Sequence, residues 1–352
     1  MSNSTNSSLL ISWFVPEPKW MAVHRLLRRR AWDPDLTMAS VWIRGFQVAP
    51  YLIQRNYQVR CNITYPLPNV AIFLRRYGSD DVVLARKLKS EGVRIILDVI
   101  VNYFQTRNQT CQGYGGASQE IVDNFLRLVD LADQVWTVSP FLQQIASRFH
   151  PNVHFISDSV DPKHFIYREN RSPTDKKPIT LGWSGIYQKV YDLEMIAPVL
   201  KPLIDSQKVK VLVITNKRPT LSFPFEFCRW RYYSFPAQIA RCDLCIAPRL
   251  VDNDYDRGHS IFKIGAFMAM GVPALASPVP SYELLLRDGR AGVICNSPED
   301  WDYHLNRYIT NDEILEAARL AAQEKIMSYL TPVVAGQIDE LIDKLSHISH
   351  NL

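Results

Sequence analysis

The sequence predicts an α/β protein made of two similar halves, each a parallel sheet covered by helices. Three observations carry this expectation. Short apolar runs of buried-strand type alternate with segments of helical period; the alternation breaks at a polar stretch after residue 166; and the same grammar then restarts. The 352 residues divide on this reading into two α/β domains at 1–166 and 167–352.

In the first half, Leu9 to Val15 is a strand, and apolar positions recur at helical spacing from Ala39 to Arg55. A strand over Tyr57 to Ile63, an apolar run at Val70 to Leu74 and a helix around Asp80 to Ser90 follow. Val93 to Val99 is continuous enough in Val, Ile and Leu to be buried on both faces. Gln134 to Val138 is another strand. Ser139-Pro140 then caps and opens a helix over Phe141 to Phe149, because a serine hydroxyl accepts from the first amides and proline is preset for the first helical position. Val153 to Ile156 closes this half.

The segment from Tyr167 to Pro178, rich in Arg, Lys, Ser, Pro and Asn, reads as a linker. Beyond it come strands at Ile179 to Trp183, Val209 to Thr215, Leu244 to Ala247, Ala274 to Ser277 and Ala291 to Cys295. A helix at Leu193 to Ile204 and a mostly helical tail from Trp301 to Leu345 complete the pattern. Two such halves place a ligand cleft between them.

Composition narrows the function. Hydrophobic residues make up 47%, enough for two ordinary cores, and 40 basic residues against 35 acidic ones leave a net charge of only +5. That balance favours small anionic ligands or membrane headgroups over nucleic acid. The opening apolar run is too short to span a bilayer and lacks a basic flank, so it reads as a strand and not as a signal peptide. Six cysteines without framework spacing suit a reducing cytoplasm, and Cys242 and Cys245 read as buried strand residues. Lys19 to Trp32 mixes basic residues with Trp, Met and Leu; it reads as a surface helix of the first domain, with peripheral contact to an anionic membrane as the alternative.

The densest chemistry lies in Asp256-Arg257-Gly258-His259-Ser260-Ile261-Phe262-Lys263, which runs into an amphipathic helix stopped by Gly271. A polar, basic entry to a helix offers unpaired amides and the positive end of the macrodipole to an anion, and the anion inferred is a diphosphate. Arg257 and Lys263 supply formal charge, with Gly258, His259 and Ser260 as backbone contacts. Just upstream, Asp252, Asp254 and Asp256 lack the glycine and terminal glutamate of a calcium loop and read as a flexible acidic loop. Asp98, at the carboxyl end of a parallel-type strand, is a candidate polar contact or a strand-end cap.

Several segments resemble the GT-B glycosyltransferases. Ala132-Asp133-Gln134-Val135-Trp136-Thr137-Val138-Ser139 and Ile156-Ser157-Asp158-Ser159-Val160-Asp161-Pro162 are similar to the end of their N-terminal domain, with Asp158 where Asn is usual. Pro236 to Pro248 resembles their "lp..ya.aDv.i.P" segment, and Arg257 to Val279 the donor segment of the retaining family 4 members. The resemblance covers most of residues 130 to 295. It implies a GT-B fold, two Rossmann-like domains facing each other across a cleft, and transfer from a nucleotide-diphosphate sugar (UDP or GDP) with retention, without metal or other cofactor. The implied acceptor is a glycan, a lipid-linked molecule or a small molecule, in polysaccharide biosynthesis. Ser184, Gly185 and Lys189 would form a second phosphate-binding turn, and Pro236 would lie in the donor site. With retention, the departing phosphate can itself take the acceptor proton, so Arg257, Lys263 and Asp98 suffice as catalytic candidates. The carboxylate pair expected in many family 4 members falls on Gly258 and Ala266, which leaves ribose recognition to other groups. That absence keeps open a non-catalytic GT-B subunit supporting a partner enzyme, or a sugar-nucleotide epimerase of the same shape.

Overall fold

A computed structural model describes residues 8–16, 33–35, 37–108, 116–165 and 178–347. The chain forms two compact units, Met1–Ser159 together with Thr331–Leu352, and Val160–Leu330. Each is built on a six-stranded, wholly parallel sheet, as the alternating pattern predicts. The compact units divide at Ser159/Val160, seven residues before the expected boundary, and the final helix belongs with the first unit. The basic stretch at 19–32 and the linker at 167–177 lie outside the described residues.

The first sheet has the order β2-β1-β3-β4-β5-β6, with β1 Leu10–Phe14, β2 Gln58–Cys61, β3 Val70–Leu74, β4 Arg94–Val99, β5 Gln134–Thr137 and β6 Val153–Phe155. Every residue of β1, β3 and β5 is buried, so these strands lack polar alternation because both faces are covered. Helix Gln119–Leu131 buries Val122, Phe125, Leu128 and Val129, the spacing of one helical face, and Ser118 Oγ caps it by accepting from Ile121 N. Ser139 caps helix Pro140–Ala146 in the same way, as its sequence requires.

The helical pattern at Ala39 to Arg55 is interrupted. Helix Ala39–Val41 passes into a π-helical turn, Trp42–Phe46, before helix Ala49–Ile53. The extra residue in the turn carries Arg44 into the interior, where Nε donates to both Asp98 oxygens at 2.9 and 2.7 Å. Its Nη1 donates to Ile156 O at 2.9 Å and to Asp158 Oδ1 at 3.2 Å. Gln47, just beyond the turn, donates to Ser159 O and to Thr331 Oγ1. Helix Thr331–His347 is held to this unit by Tyr57 Oη, which donates to Asp339 Oδ1, and by Gln134 Nε2, which donates to Leu341 O.

The second sheet has the order β12-β11-β10-β7-β8-β9. Its strands are β7 Ile179–Ser184, β8 Val209–Thr215, β9 Glu226–Arg229, β10 Leu244–Ala247, β11 Ala274–Ala276 and β12 Gly292–Ile294. Strand β9 is the edge strand that hydropathy alone does not reveal, being half-buried and polar at both ends. Helix Phe262–Ala269 buries almost its whole length against this sheet and ends at Gly271, whose φ of +69° is the left-handed conformation glycine adopts at low cost. No helix among the described residues is long and apolar enough to cross a membrane.

Candidate functional site

In the second unit the chain leaves β7 toward β8 on one side, and later β10 toward β11 on the other, although β7 and β10 are neighbours in the sheet. Their carboxyl ends therefore flank a topological switch point, where diverging connections leave a crevice in open parallel sheets. The residues that follow these two strands are charged. From Ser184, the last residue of β7, Gly185 leads toward a 3₁₀ segment, Tyr187–Ile196, that carries Lys189. After β10, Pro248 is followed by Arg249, whose backbone amide donates to Ser277 Oγ at 2.8 Å and ties the ends of β10 and β11 together.

Asp256 joins the two cations. Helix Asp254–Arg257, capped by Asn253, turns this carboxylate inward. Its Oδ1 accepts from Lys189 Nζ at 2.8 Å and from Arg249 Nη2 at 3.0 Å, while Oδ2 accepts from Asn253 Nδ2 at 2.8 Å. Burial pushes the Asp256 carboxyl up, but Arg249 and Lys189 outweigh it and hold it down to about 2. The acidic segment is therefore fixed at Asp256, while Asp252 is exposed and Asp254 partly so; the expectation of a flexible acidic loop is corrected at Asp256.

Arg249 also donates from Nη2 to His259 Nε2 at 2.7 Å. The other ring nitrogen, Nδ1, lies 2.8 Å from Tyr255 O, and since a carbonyl only accepts, Nδ1 carries the proton. Burial, reinforced by Arg249, keeps this histidine neutral, well below its ordinary pKa.

Lys263 completes the set. It lies in the first turn of helix Phe262–Ala269, which has no side-chain cap, with Nζ 4.4 Å from the centroid of the Trp183 ring. Nζ is shielded from solvent and has no hydrogen-bond partner. Burial, with Arg249 adding repulsion, lowers its pKa to about 8. Asp192 Oδ2, on the 3₁₀ segment, is likewise buried and without a partner. Burial raises the Asp192 pKa against the pull of Lys263, Arg249 and Lys189.

The sequence candidates separate on this geometry. Lys189, His259 and Lys263 enter the cluster, and Ser184 and Gly185 border it. The Gly185 amide is taken by Ile214 O of β8, and the Gly258 amide closes the preceding helix on Asp254 O and Tyr255 O. Ser260 Oγ lies 3.4 Å from Phe262 N at the helix entrance. The Arg257 side chain is 48% exposed and 3.9 Å from Asp254 Oδ1, so of these two arginines it is Arg249 that enters the cluster. Pro236 opens helix Phe235–Ile239 beyond the edge strand, where Phe235 packs on Phe267 and Trp230, and it is not among the hydrogen-bonded cluster. Asp98 lies in the first unit and is engaged by Arg44, so it serves as the strand-end partner of that guanidinium.

Arg249 and Asp192 escaped the sequence reading. The signal for Arg249 was a basic residue directly after a buried strand and proline, at the carboxyl edge where open sheets bind ligands. A cavity of about 240 Å³ adjoins Arg249, lined also by Met195, Ser277, Asn296 and Trp301.

No family model matches the sequence, and no curated protein sequence matches it either. Solved structures do match. Sucrose-phosphate synthase from Thermosynechococcus elongatus superposes with a TM-score of 0.71 at 12% identity, over 97% of this chain and 100% of that one. HepE from Anabaena in complex with UDP and glucose gives 0.63 at 12% identity, over 96% and 100%. The pneumococcal O-GlcNAc transferase GtfA in complex with UDP and GlcNAc gives 0.57 at 12% identity, over 79% of this chain and 57% of that one. At this identity the likeness is one of architecture, and the fold is that of the GT-B glycosyltransferases.

Proposed function

We propose that this chain transfers a glycosyl group from a nucleotide-diphosphate sugar to an acceptor hydroxyl, with its donor diphosphate held at the carboxyl ends of β7 and β10. The observation that carries the reading is the convergence of Lys189, Arg249 and Lys263 at the switch point, with one of the three, Lys263, buried and unpartnered. A buried ammonium with no acceptor is costly, and an anionic ligand is the group that relieves it.

Departure of the leaving group breaks the bond between the anomeric carbon and the diphosphate oxygen, and the electron pair stays on that oxygen. Charge therefore grows on the diphosphate as the transition state is reached. Lys263 and the Lys189–Arg249 pair stabilise it more strongly there than in the ground state, which is the requirement for acceleration. The acceptor hydroxyl forms the new bond, and its proton passes to the departing phosphate oxygen, giving retention without a protein base. The cavity beside Arg249 offers room for the uncharged part of the donor. The neighbours solved with UDP support a nucleotide ligand of this class.

Calorimetric titration with UDP and GDP tests the reading, followed by Lys263→Ala and Lys189→Ala. Micromolar binding of one nucleotide, weakened tenfold or more by either substitution, is the expected result. Absence of binding by either nucleotide would sink it, and binding without turnover of any nucleotide sugar would favour a non-catalytic subunit.

A further inference from the structure

Asp192 Oδ2 and Lys263 Nζ present an unusual pairing. Both are shielded from solvent, both lack a hydrogen-bond partner, and they attract one another electrostatically, yet no hydrogen bond joins them. Buried opposite charges that attract one another normally close to contact, because leaving each unsatisfied is costly. Asp192 is fixed on the 3₁₀ segment Tyr187–Ile196, while Lys263 is fixed on helix Phe262–Ala269 with its ammonium over the Trp183 ring.

The ammonium has three protons to give, and the carboxylate needs a donor. A phosphate oxygen serves the first and cannot serve the second, since Asp192 would repel it. A hydroxyl beside the phosphate donates to Asp192 and accepts from Lys263 as well. The neighbouring backbone is shaped to leave the space open: a Cβ on Gly185 would come within 2.8 Å of the Trp183 ring and 3.5 Å of Lys263 Cε. Any side chain at Gly185 would therefore crowd the approach to the ammonium.

We infer that Asp192 and Lys263 together form a hydroxyl-binding subsite for a polyol group of the donor, with Asp192 as the acceptor that selects it. The inference rests on the nucleotide-sugar reading above. It gives the cluster a division of labour, in which Lys189, Arg249 and Lys263 face the phosphates while Asp192, with a remaining proton of the Lys263 ammonium, reads a sugar hydroxyl beside them. The hydroxyl belongs either to the ribose or to the transferred sugar, and the two sources are separable by ligand. A site built to bond a hydroxyl rejects the analogue that lacks it far more strongly than an apolar pocket could.

The test is titration calorimetry of the full chain with UDP, 2′-deoxy-UDP and UDP-glucose, and with the matching guanosine series, on the wild type, Asp192→Asn and Asp192→Ala. Thermal melts of each variant without ligand establish that it is folded. If the ribose is read, the wild type favours the ribonucleotide over its deoxy analogue by about tenfold or more, and Asp192→Ala abolishes that preference. If the transferred sugar is read, the wild type instead favours the nucleotide sugar over the nucleotide, and the same variant abolishes that preference. Asp192→Asn, which keeps an acceptor oxygen, retains part of either preference. Unchanged preferences in folded variants, or an equal loss for every ligand, would overturn the inference and leave the donor reading standing. Failure of the wild type to bind any of these nucleotides defeats both.

Discussion

Arg249 donates to the ring of His259 at 2.7 Å, and His259 passes the constraint on by donating to Tyr255 O at 2.8 Å. The imidazole is thereby fixed in one neutral tautomer, with Nε2 left to accept from the guanidinium. His259 should remain uncharged through the range in which a free imidazole titrates, since burial and the adjacent guanidinium both oppose its protonation. Nitrogen-15 NMR of the ring checks this, and a titration with a midpoint near 6 would contradict it.

Lys263 couples pH to two properties in opposite directions. Its folded pKa of about 8 lies below the free value of 10.5, so the folded chain holds this proton less tightly than the unfolded chain does. Its contribution to stability therefore rises as pH increases from about 8 toward 10.5. Anion affinity moves the other way, falling as pH rises through about 8 and the ammonium is lost. The groups acting on Lys263 are Arg249, Asp192, Cys245 and Lys189, and among them only Asp192 and Cys245 favour its charge. Lys263→Met should raise stability at pH 7 by on the order of 2 kcal/mol while reducing nucleotide binding at least tenfold. Urea unfolding and calorimetry of the same variant measure both effects.

Asp256 carries the opposite dependence. Its folded pKa of about 2 lies below the ordinary 3.8, so its stabilising effect is complete above about pH 4 and is lost as pH falls toward 2. Asp256→Asn should cost about 3 kcal/mol at pH 7, because Arg249 and Lys189 would lose their shared anion, with the difference narrowing near pH 2. Denaturant midpoints of the two proteins at pH 7 and pH 2.5 give the comparison.

In the first unit, Arg44 makes four hydrogen bonds from a single guanidinium to Asp98, Ile156 O and Asp158. Arg44→Met should destabilise that unit by roughly 3–5 kcal/mol, because two buried carboxylates lose their cation. Arg44→Lys should recover only part of this, as a point charge cannot reproduce the fork. Adding Asp98→Asn to Arg44→Met should cost less than the sum of the two single changes, which equilibrium unfolding of the double-mutant cycle measures.

The strands were legible because burial on both faces leaves a composition that few other structures need; Val209–Thr215 is read to the residue. The edge strand β9 was not, since Glu226 and Arg229 follow from facing solvent and not from any core. The π turn at Trp42–Phe46 was hidden for a different reason: one extra residue per turn hardly disturbs an apolar stripe, yet it decides that Arg44 points inward. Within the site, Lys189 and Lys263 were found because glycine and short polar residues precede them. Arg249 was missed because its importance comes from the order of strands in the sheet, a relation between β7 and β10 that spans some sixty residues and leaves no local pattern. Asp158 gained its explanation only from the fold, as the second carboxylate of Arg44.

The chain leaves the first unit at Ser159 and returns to it at Thr331, so helix Thr331–His347 is the last piece of the unit that was begun first. Every residue of Val160–Leu330 is therefore joined to the chain before the first unit receives its closing helix. Until that helix arrives, Tyr57 lacks Asp339 and Gln134 lacks Leu341 O, and the face they line stays open to chaperones or to self-association. A chain cut just before residue 331 would thus carry the whole of Val160–Leu330 joined to a first unit that lacks its closing helix, although that first unit was begun earlier.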